Sequence, residues 1–250
     1  MTNTNNAILS GKVSHASINQ INGRDAMSFI IAAKDPSRRN QEGEAFTYNV
    51  PVSVRGPLVE RLKAKLADGV PALVCGRFEP YNVKDKGTRY QVNAQSVHLV
   101  DAGEIDNIVL QGRLTHEPEI RHTANGTPVI STTIACNRSY QTKEGEWKDT
   151  TSFIDIVIWA ELAEGFSFRK GESLWVVGKL TSRSYEGKDG VKRYPVEVVA
   201  TQISSGGTGK NSTAAQNQPA AFTAPTSLNP TDAPQIEEEF GDFSDDDLPF

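Results

Sequence analysis

The sequence is short of the residues from which metal sites and disulfide frameworks are built. It has two cysteines, Cys75 and Cys136, which do not form a CxxC pair, and only four scattered histidines. Structural metal sites need such ligands in closely spaced pairs, so we expect no metal centre. Each cysteine lies in an apolar run, which predicts a buried thiol.

Long apolar runs are also missing. No stretch reaches the eighteen or so apolar residues of a membrane-spanning helix. Residues 1–6 are polar and lack the basic-then-apolar order of a signal peptide. These absences predict a cytoplasmic protein.

Basic residues are scarce at the end of the chain, a bias that the net charge of −5 conceals. Residues 204–250 carry eight acids and one base, 1 − 8 = −7, which leaves −5 + 7 = +2 for residues 1–203. The same segment is rich in Ser, Gly, Gln, Asn and Pro, with too few apolar residues to offset the entropy of ordering. We predict a mildly basic folded body and a disordered, acidic tail at residues 205–250.

What the sequence does contain is an internal repeat of domain length. Gly11-Lys12-Val13 is echoed by Gly112-Arg113-Leu114, and Gly76 by Gly178, at offsets of 112 − 11 = 101 and 178 − 76 = 102. Tyr90 and Tyr194 lie in similar segments, 194 − 90 = 104 apart. A nearly constant offset indicates two copies of one domain. We place them at residues 1–103 and 104–204.

Each copy has the pattern of a small β-barrel. In the second copy, β-branched and aromatic runs predict strands over residues 107–114, 128–136, 152–159, 173–180 and 193–203. Residues 160–166 form its one helix-like piece, and residues 57–66 form that of the first copy. Three strands, a helix and two strands is the order of an OB-fold, a five-stranded Greek-key barrel. The predicted fold class is therefore all-β, with two tandem OB-folds, one short helix in each, and the acidic tail.

Aromatic residues in polar, basic stretches of the second copy suggest a binding surface. Proteins that hold single-stranded nucleic acid stack bases on aromatic rings and place cations along the backbone. Tyr140 and Trp147 lie in a predicted polar hairpin, and Tyr185 lies in another polar stretch. The nearby cations are Arg138, Lys143, Lys148, Arg183 and Lys188.

One predicted strand adds two further rings. Phe153 and Trp159 share a face of a regular strand, opposite the isoleucines at 154, 156 and 158 that would face the core. On the sequence alone, a second possibility for Trp159 stays open, in which its ring covers the end of the helix.

The last six residues combine an acidic run with an apolar end. They are Asp245, Asp246, Asp247, Leu248, Pro249 and Phe250. Such a tip is shaped to enter a small pocket rimmed by Lys or Arg on a partner protein. A role in solubility would explain the acids but not the closing Leu-Pro-Phe.

This tip, together with the segment at residues 112–126 (GRLTHEPEIRHTANG) and the turn Arg169-Lys170-Gly171, resembles the bacterial single-stranded-DNA-binding protein family. The resemblance implies that bases stack on Tyr140, Phe153, Trp159 and Tyr185. It also implies that the tip docks replication, recombination and repair proteins at the nucleoid. Chains with two OB-folds in this family form homodimers with four, which is the assembly we expect.

The first copy departs further from the family pattern. We align Tyr48 with Phe153, and Tyr81 lies two residues before the position that matches Tyr185. Lys84 supplies charge nearby. We expect these residues to touch DNA, and the first copy to bind it less strongly or to serve assembly.

Two other functions stay open. Stacking does not separate DNA from RNA, because that choice depends on contacts with the 2′-hydroxyl, so an RNA-binding protein is one alternative. An adaptor that works mainly through its tail is the other. An enzyme needs clustered carboxylates or a poised base, and the carboxylates of the folded part are dispersed. We therefore predict no enzymatic activity, no catalytic residue and no cofactor.

Overall fold

The structure is a computed structural model that describes residues 2–21, 23–39, 43, 45–83, 87–142, 145–182, 185–186, 192–193 and 196–206. Its strands are β1 (Asn5–Ile21), β2 (Arg24–Arg39), β3 (Ala45–Arg55), β4 (Pro71–Val83), β5 (Gly87–His98), β6 (Asp106–Leu114), β7 (Ile120–His122), β8 (Pro128–Gln141), β9 (Trp147–Trp159), β10 (Ser173–Ser182), β11 (Tyr185–Glu186), β12 (Lys192–Arg193) and β13 (Val196–Ser205). Its helices are α1 (Pro57–Leu62) and α2 (Ala160–Glu164).

Strand pairing closes two five-stranded barrels. In the first, β1 pairs with β2 and β4, β2 pairs with β3, and β5 joins β3 to β4. In the second, β6 pairs with β8 and β10, β8 pairs with β9, and β13 joins β9 to β10. The joining pairs β3–β5 and β9–β13 are parallel and the other ladders are antiparallel. The predicted fold class, two such barrels with one short helix each, is confirmed.

The helices begin where they were predicted to begin. In α1, Pro57 occupies the first turn, where its missing N–H breaks no helical hydrogen bond. Regular helix ends at Leu62 rather than at the predicted residue 66, because the chain tightens there: the N–H of Lys65 donates to the carbonyl of Leu62, three residues back.

Close backbone contacts explain the repeated glycines. They lie on equivalent strands of the two barrels: Gly11 and Gly112 on β1 and β6, and Gly76 and Gly178 on β4 and β10. A Cβ at Gly11 would lie 2.2 Å from the carbonyl oxygen of Ala32, and one at Gly178 would lie 2.3 Å from that of Val199. Only glycine lets the walls of each barrel approach so closely.

A short antiparallel ladder between β1 and β6 joins the barrels into one compact unit. At its centre Ala7 lies opposite Ile108, and both side chains are fully buried. These residues also occupy equivalent places in the repeat, since 108 − 7 = 101 is the offset that relates Gly11 to Gly112. A pseudo-two-fold axis therefore passes through this pair, as in the isologous contact of a symmetric dimer.

Of the two cysteines predicted to be buried, only one is. Cys136 is buried, which raises its pKa to about 12, whereas Cys75 is only partly buried. Across the described ranges, no helix is long and apolar enough to cross a membrane. The same residues contain no cluster of His, Cys, Asp or Glu side chains arranged to hold a metal ion.

Candidate nucleic-acid interface

The surface begins on the hairpin of β8 and β9, which is paired from Val129–Trp159 out to Gln141–Trp147. Its outer part, residues 137–151, we call the arm. Alternation along the strands puts Arg138 and Tyr140 on one face of the arm, with Lys148 opposite Tyr140. The Arg138 guanidinium lies over the Tyr140 ring at 5.4 Å, a cation–π contact that leaves 37% of the tyrosine exposed.

The other face of β9 carries a row of exposed rings. Phe153 is 54% exposed and Trp159 is 40% exposed, while the isoleucines at 154, 156 and 158 are fully buried, as predicted. Trp147, on the arm, is 72% exposed and lies on the same alternation as Phe153. Trp159 is also the N-cap residue of α2, so the ring lies where the strand meets the helix. Aromatic area of this extent in water suggests a binding surface rather than a core.

Tyr48 does not belong to this surface, and its prediction is wrong. In the parallel ladder of each barrel, Val52 of β3 pairs with β5, and Ile156 of β9 pairs with β13. These two residues occupy equivalent positions, so each residue of β9 follows its counterpart in β3 by 156 − 52 = 104 positions. Phe153 is therefore matched by the exposed Asn49, one residue from Tyr48. A slip of one residue turns a strand side chain to the opposite face, and Tyr48 is only 3% exposed.

Tyr48 instead helps to join the barrels. Its hydroxyl donates to Asp106 Oδ2 at 2.6 Å, and the N–H of Leu180 donates to Asp106 Oδ1 at 2.9 Å. Burial raises the pKa of Asp106 to about 6, and burial beside Asp106 raises the pKa of Tyr48 as well. Nearby, Lys179 on β10 pairs with the buried Asp35 on β2 at 2.7 Å. These contacts lie on one side of the junction between the two barrels, which we call the seam.

On the other side of the seam, sequence analysis missed Tyr90. Its ring stacks on Phe78, with centroids 5.1 Å apart. Its hydroxyl donates to Asp155 Oδ2 at 3.0 Å, lies 3.3 Å from the carbonyl oxygen of Phe153, and accepts the N–H of Asp155 at 3.3 Å. Tyr90 lies in the first barrel and the residues that its hydroxyl contacts lie in the second, so no local pattern could reveal the contact.

A second contact on this side links the arm to the first barrel. The guanidinium of Arg138 lies 3.7 Å from Glu79 on β4. Glu79 also accepts from the Arg77 guanidinium at 2.9 Å and from the Asn93 amide at 2.6 Å. The Arg138 guanidinium that contacts the Tyr140 ring is thus oriented by a carboxylate of the other barrel.

The structure describes only some of the other predicted site residues. Tyr81 is partly buried on β4, opposite the exposed Arg89, so an aromatic and a basic residue are paired across the strands of the first barrel. Tyr185 is described only through its backbone, which pairs with Arg193 in the short ladder of β11 and β12. The predictions for Lys84, Lys143, Arg183, Lys188 and the tip at residues 245–250 fall outside the described residues.

Comparison with known proteins gives a consistent result. The model of the single-strand binding protein family matches residues 105–205. A single-stranded DNA-binding protein of Deinococcus radiodurans is 31% identical over 241 residues, which cover 84% of this chain and 79% of the relative. One of Streptococcus pneumoniae is 36% identical over 162 residues, which cover 58% of this chain and 99% of the relative.

Solved structures share the fold. The crystal structure of the wild-type single-stranded DNA binding protein from Thermus aquaticus has a TM-score of 0.66 at 22% identity, covering 86% of this chain and 98% of its own. A deletion mutant of the Thermus aquaticus protein has a TM-score of 0.64 at 24% identity, covering 82% and 95%.

Proposed function

Because the chain belongs to the single-strand binding protein family, we propose that it binds and protects single-stranded DNA, without sequence preference, in replication, recombination and repair. The observation that carries the proposal is the row of exposed rings on β9, Phe153 and Trp159, which continues to Trp147 on the arm. Arg138 and Lys148 supply cations on the other face of the arm. Every base has a face that can stack on such a ring, so binding needs no readout of sequence.

We propose that the path continues over the rest of the predicted surface. The further residues of the second barrel are Tyr140, Trp147, Lys143, Arg183, Tyr185 and Lys188. Tyr81 and Lys84 extend the path to the first barrel, whose weaker set of rings supports a secondary role in binding. The barrels act in this proposal as domains at residues 1–103 and 104–204.

The direct test replaces single rings. Each stacked base is worth roughly 1–3 kcal/mol, so Phe153→Ala and Trp159→Ala should each weaken binding of oligo-dT about tenfold. Tyr140→Ala and Tyr185→Ala should weaken it as well. Val100→Ala is the control, because Val100 is 48% exposed but lies two residues beyond the first barrel's last strand, outside the proposed path. Parent affinity in all four ring variants, measured at one salt concentration, would refute the site.

The choice of ligand is tested with matched oligo-dT, oligo-U and duplex DNA. We expect tight binding of oligo-dT that weakens steeply with salt, because cations on the protein displace counterions from the backbone. A preference for oligo-U would support the RNA-binding alternative. Binding of none of the three would support an adaptor.

The acidic tip is proposed to recruit partner proteins rather than to hold DNA. Deletion of residues 245–250 should leave the affinity for oligo-dT unchanged or slightly raised, because the deletion removes acid that competes with the DNA backbone. It should abolish capture of repair and replication proteins by the immobilised chain. A large loss of DNA affinity on deletion would contradict this assignment.

We propose a homodimer with four barrels as the working assembly. The pseudo-two-fold ladder of β1 and β6 supports it, because one chain already provides two barrels arranged as in a dimer. Mass measurement in solution should give twice the 27.2 kDa of one chain, with and without oligo-dT.

A further inference from the structure

A cleft of about 240 Å³ opens on the outer face of the second barrel, where the first barrel meets it. Its lining includes Ser131, Thr133, Asp155 and Glu197, together with Tyr90 from the first barrel. We call it the junction cleft. Residues of its lining belong to both barrels, so neither barrel forms it alone.

The chemistry of the junction cleft is unlike that of the rest of the proposed DNA path. Among the side chains that the structure describes, its lining holds two carboxylates and no cation, which favours a ligand group other than a phosphate. Its aromatic wall and apolar groups suit a flat ring, and its carboxylates accept hydrogen bonds. A nucleobase with an exocyclic amino group has both properties.

Asp155 is held in place for such a contact. Its Oδ1 accepts from the Thr133 hydroxyl at 2.6 Å, and its Oδ2 accepts from the Tyr90 hydroxyl at 3.0 Å. A carboxylate has about four acceptor sites, so these two bonds fix its orientation and leave lone pairs for a ligand.

The cleft also lies at the right place along the strand. Asp155 is two residues from Phe153 on the same face of β9, a rise of roughly 7 Å. A base stacked on Phe153 would therefore have its neighbour in the DNA strand within reach of Asp155.

We propose that the junction cleft is a nucleobase subsite, in which Asp155 accepts the amino group of a base adjacent to the one on Phe153, and that it favours cytosine over thymine. Tyr90 is the positioning residue, because it orients Asp155 from the other barrel. The proposal rests on the proposed function and adds a base preference to an otherwise tolerant surface. Acceptance of the cytosine amino group by Asp or Glu is a known mode of base readout.

The test compares oligo-dC with oligo-dT of equal length through the ratio of their dissociation constants. We expect the parent to favour oligo-dC about fivefold, at the low end of the discrimination that one contact to a base edge provides. Asp155→Asn removes a negative charge and should strengthen both complexes alike, so the ratio isolates the base contact. The amide can donate to the thymine carbonyl, and the ratio should fall to about one.

Tyr90→Phe keeps the ring on Phe78 and removes only the hydroxyl, so it should lower the ratio without unfolding the barrel. Tyr48→Phe is the matched control, because it removes another hydroxyl that bridges the barrels and Tyr48 is not among the residues that line the junction cleft. It should leave the ratio unchanged. If Asp155→Asn and Tyr90→Phe both keep the parent ratio, the subsite is refuted while DNA binding stands. If neither oligonucleotide binds the parent, the proposed function itself fails.

Discussion

At the scale of single residues, two equivalent positions use different chemistry for the same task. The Asn5 amide accepts from the N–H of Phe78 at 2.9 Å and donates to its carbonyl at 2.8 Å. Asp106, 101 residues later, accepts from the N–H of Leu180 at 2.9 Å but has no hydrogen to return. Its second oxygen takes the Tyr48 hydroxyl instead. The second position therefore carries a buried charge that the first avoids.

That charge should make stability depend on pH. The folded-state pKa of Asp106, about 6, lies above the usual value of about 3.9 for an unfolded chain, so the folded state binds the proton more tightly. Between these values the free energy of unfolding should rise as pH falls, and decline as pH rises, by on the order of 1–2 kcal/mol. The facing charged groups are Asp35 and Lys179, which also shape this titration.

Asp106→Asn tests the origin of the effect. The amide keeps an acceptor for Leu180 and gains a hydrogen to donate, so the variant should be more stable than the parent at pH 7.5 and nearly equal to it at pH 4.5. Urea unfolding at both pH values measures the difference, in which titration of the tail acids cancels. An equal difference at the two pH values would contradict the assignment.

The contact glycines give a second prediction at this scale. Gly178→Ala should lower the free energy of unfolding by about 3 kcal/mol or more, because the new Cβ meets the backbone of Val199 at 2.3 Å. Gly165→Ala is the control, since its Cβ would lie at an ordinary 3.4 Å from Glu161. It should change stability by less than about 1 kcal/mol. Equal effects would argue against the clash.

Single residues also mark the limit of sequence analysis. Alternation predicted the outward face of β9, because three isoleucines fix which side is buried. It failed for Tyr48, because the aligned copies drift by a few residues and an error of one reverses the face. The contacts of Tyr90 could not be predicted from the sequence, because its hydrogen-bond partners lie more than sixty residues away on another barrel.

At the scale of elements, the arm is longer than its hydrophobic pattern suggests. Apolar alternation ends near residue 136, yet β8 and β9 stay paired out to Gln141 and Trp147. Residues 2–4 support the arm at its base. The N–H of Asn3 donates to the carbonyl of Asn137 at 2.7 Å, and the N–H of Ser139 donates to the Thr2 hydroxyl at 3.0 Å. Such polar support leaves no periodic signature in the sequence.

Deletion of residues 2–4 should therefore loosen the arm without unfolding either barrel. Amide hydrogen exchange at Asn137 and Ser139 should accelerate, because their N–H groups lose the side-chain oxygens of Asn3 and Thr2 that accept them. Affinity for oligo-dT should fall a few-fold as the arm's cations and rings lose their fixed placement. Exchange at Ile156, in the barrel wall, is the internal control. Unchanged exchange in the arm would show that residues 2–4 do not brace it.

At the scale of the whole molecule, the two barrels share a continuous ladder and side-chain contacts on both sides of it. The β1–β6 pairs run from Asn5–Leu110 to Leu9–Asp106, and five of their ten residues are buried. The repeat predicted two barrels. It could not predict this ladder, since the polar residues 1–6 carry no strand signal.

The shared ladder predicts that the barrels unfold together. Calorimetry should show one transition with equal calorimetric and van't Hoff enthalpies, because separating the barrels would expose buried apolar side chains and unpaired backbone groups. The same transition should appear in tryptophan fluorescence, which reports only the second barrel, since all three tryptophans lie there. Two resolved transitions would indicate independent barrels.

The pseudo-two-fold axis has a consequence for polarity. A DNA strand has a 5′-to-3′ sense, and a two-fold rotation reverses the sense of any path that crosses its axis at right angles. A DNA strand that crosses both barrels along such a path would run in opposite directions over the equivalent surfaces of the two barrels. Identical barrels would make the two orientations of the strand equivalent. In the proposed site, Asn49 at the position that matches Phe153 would break that equivalence and let a single chain distinguish one end of its ligand from the other.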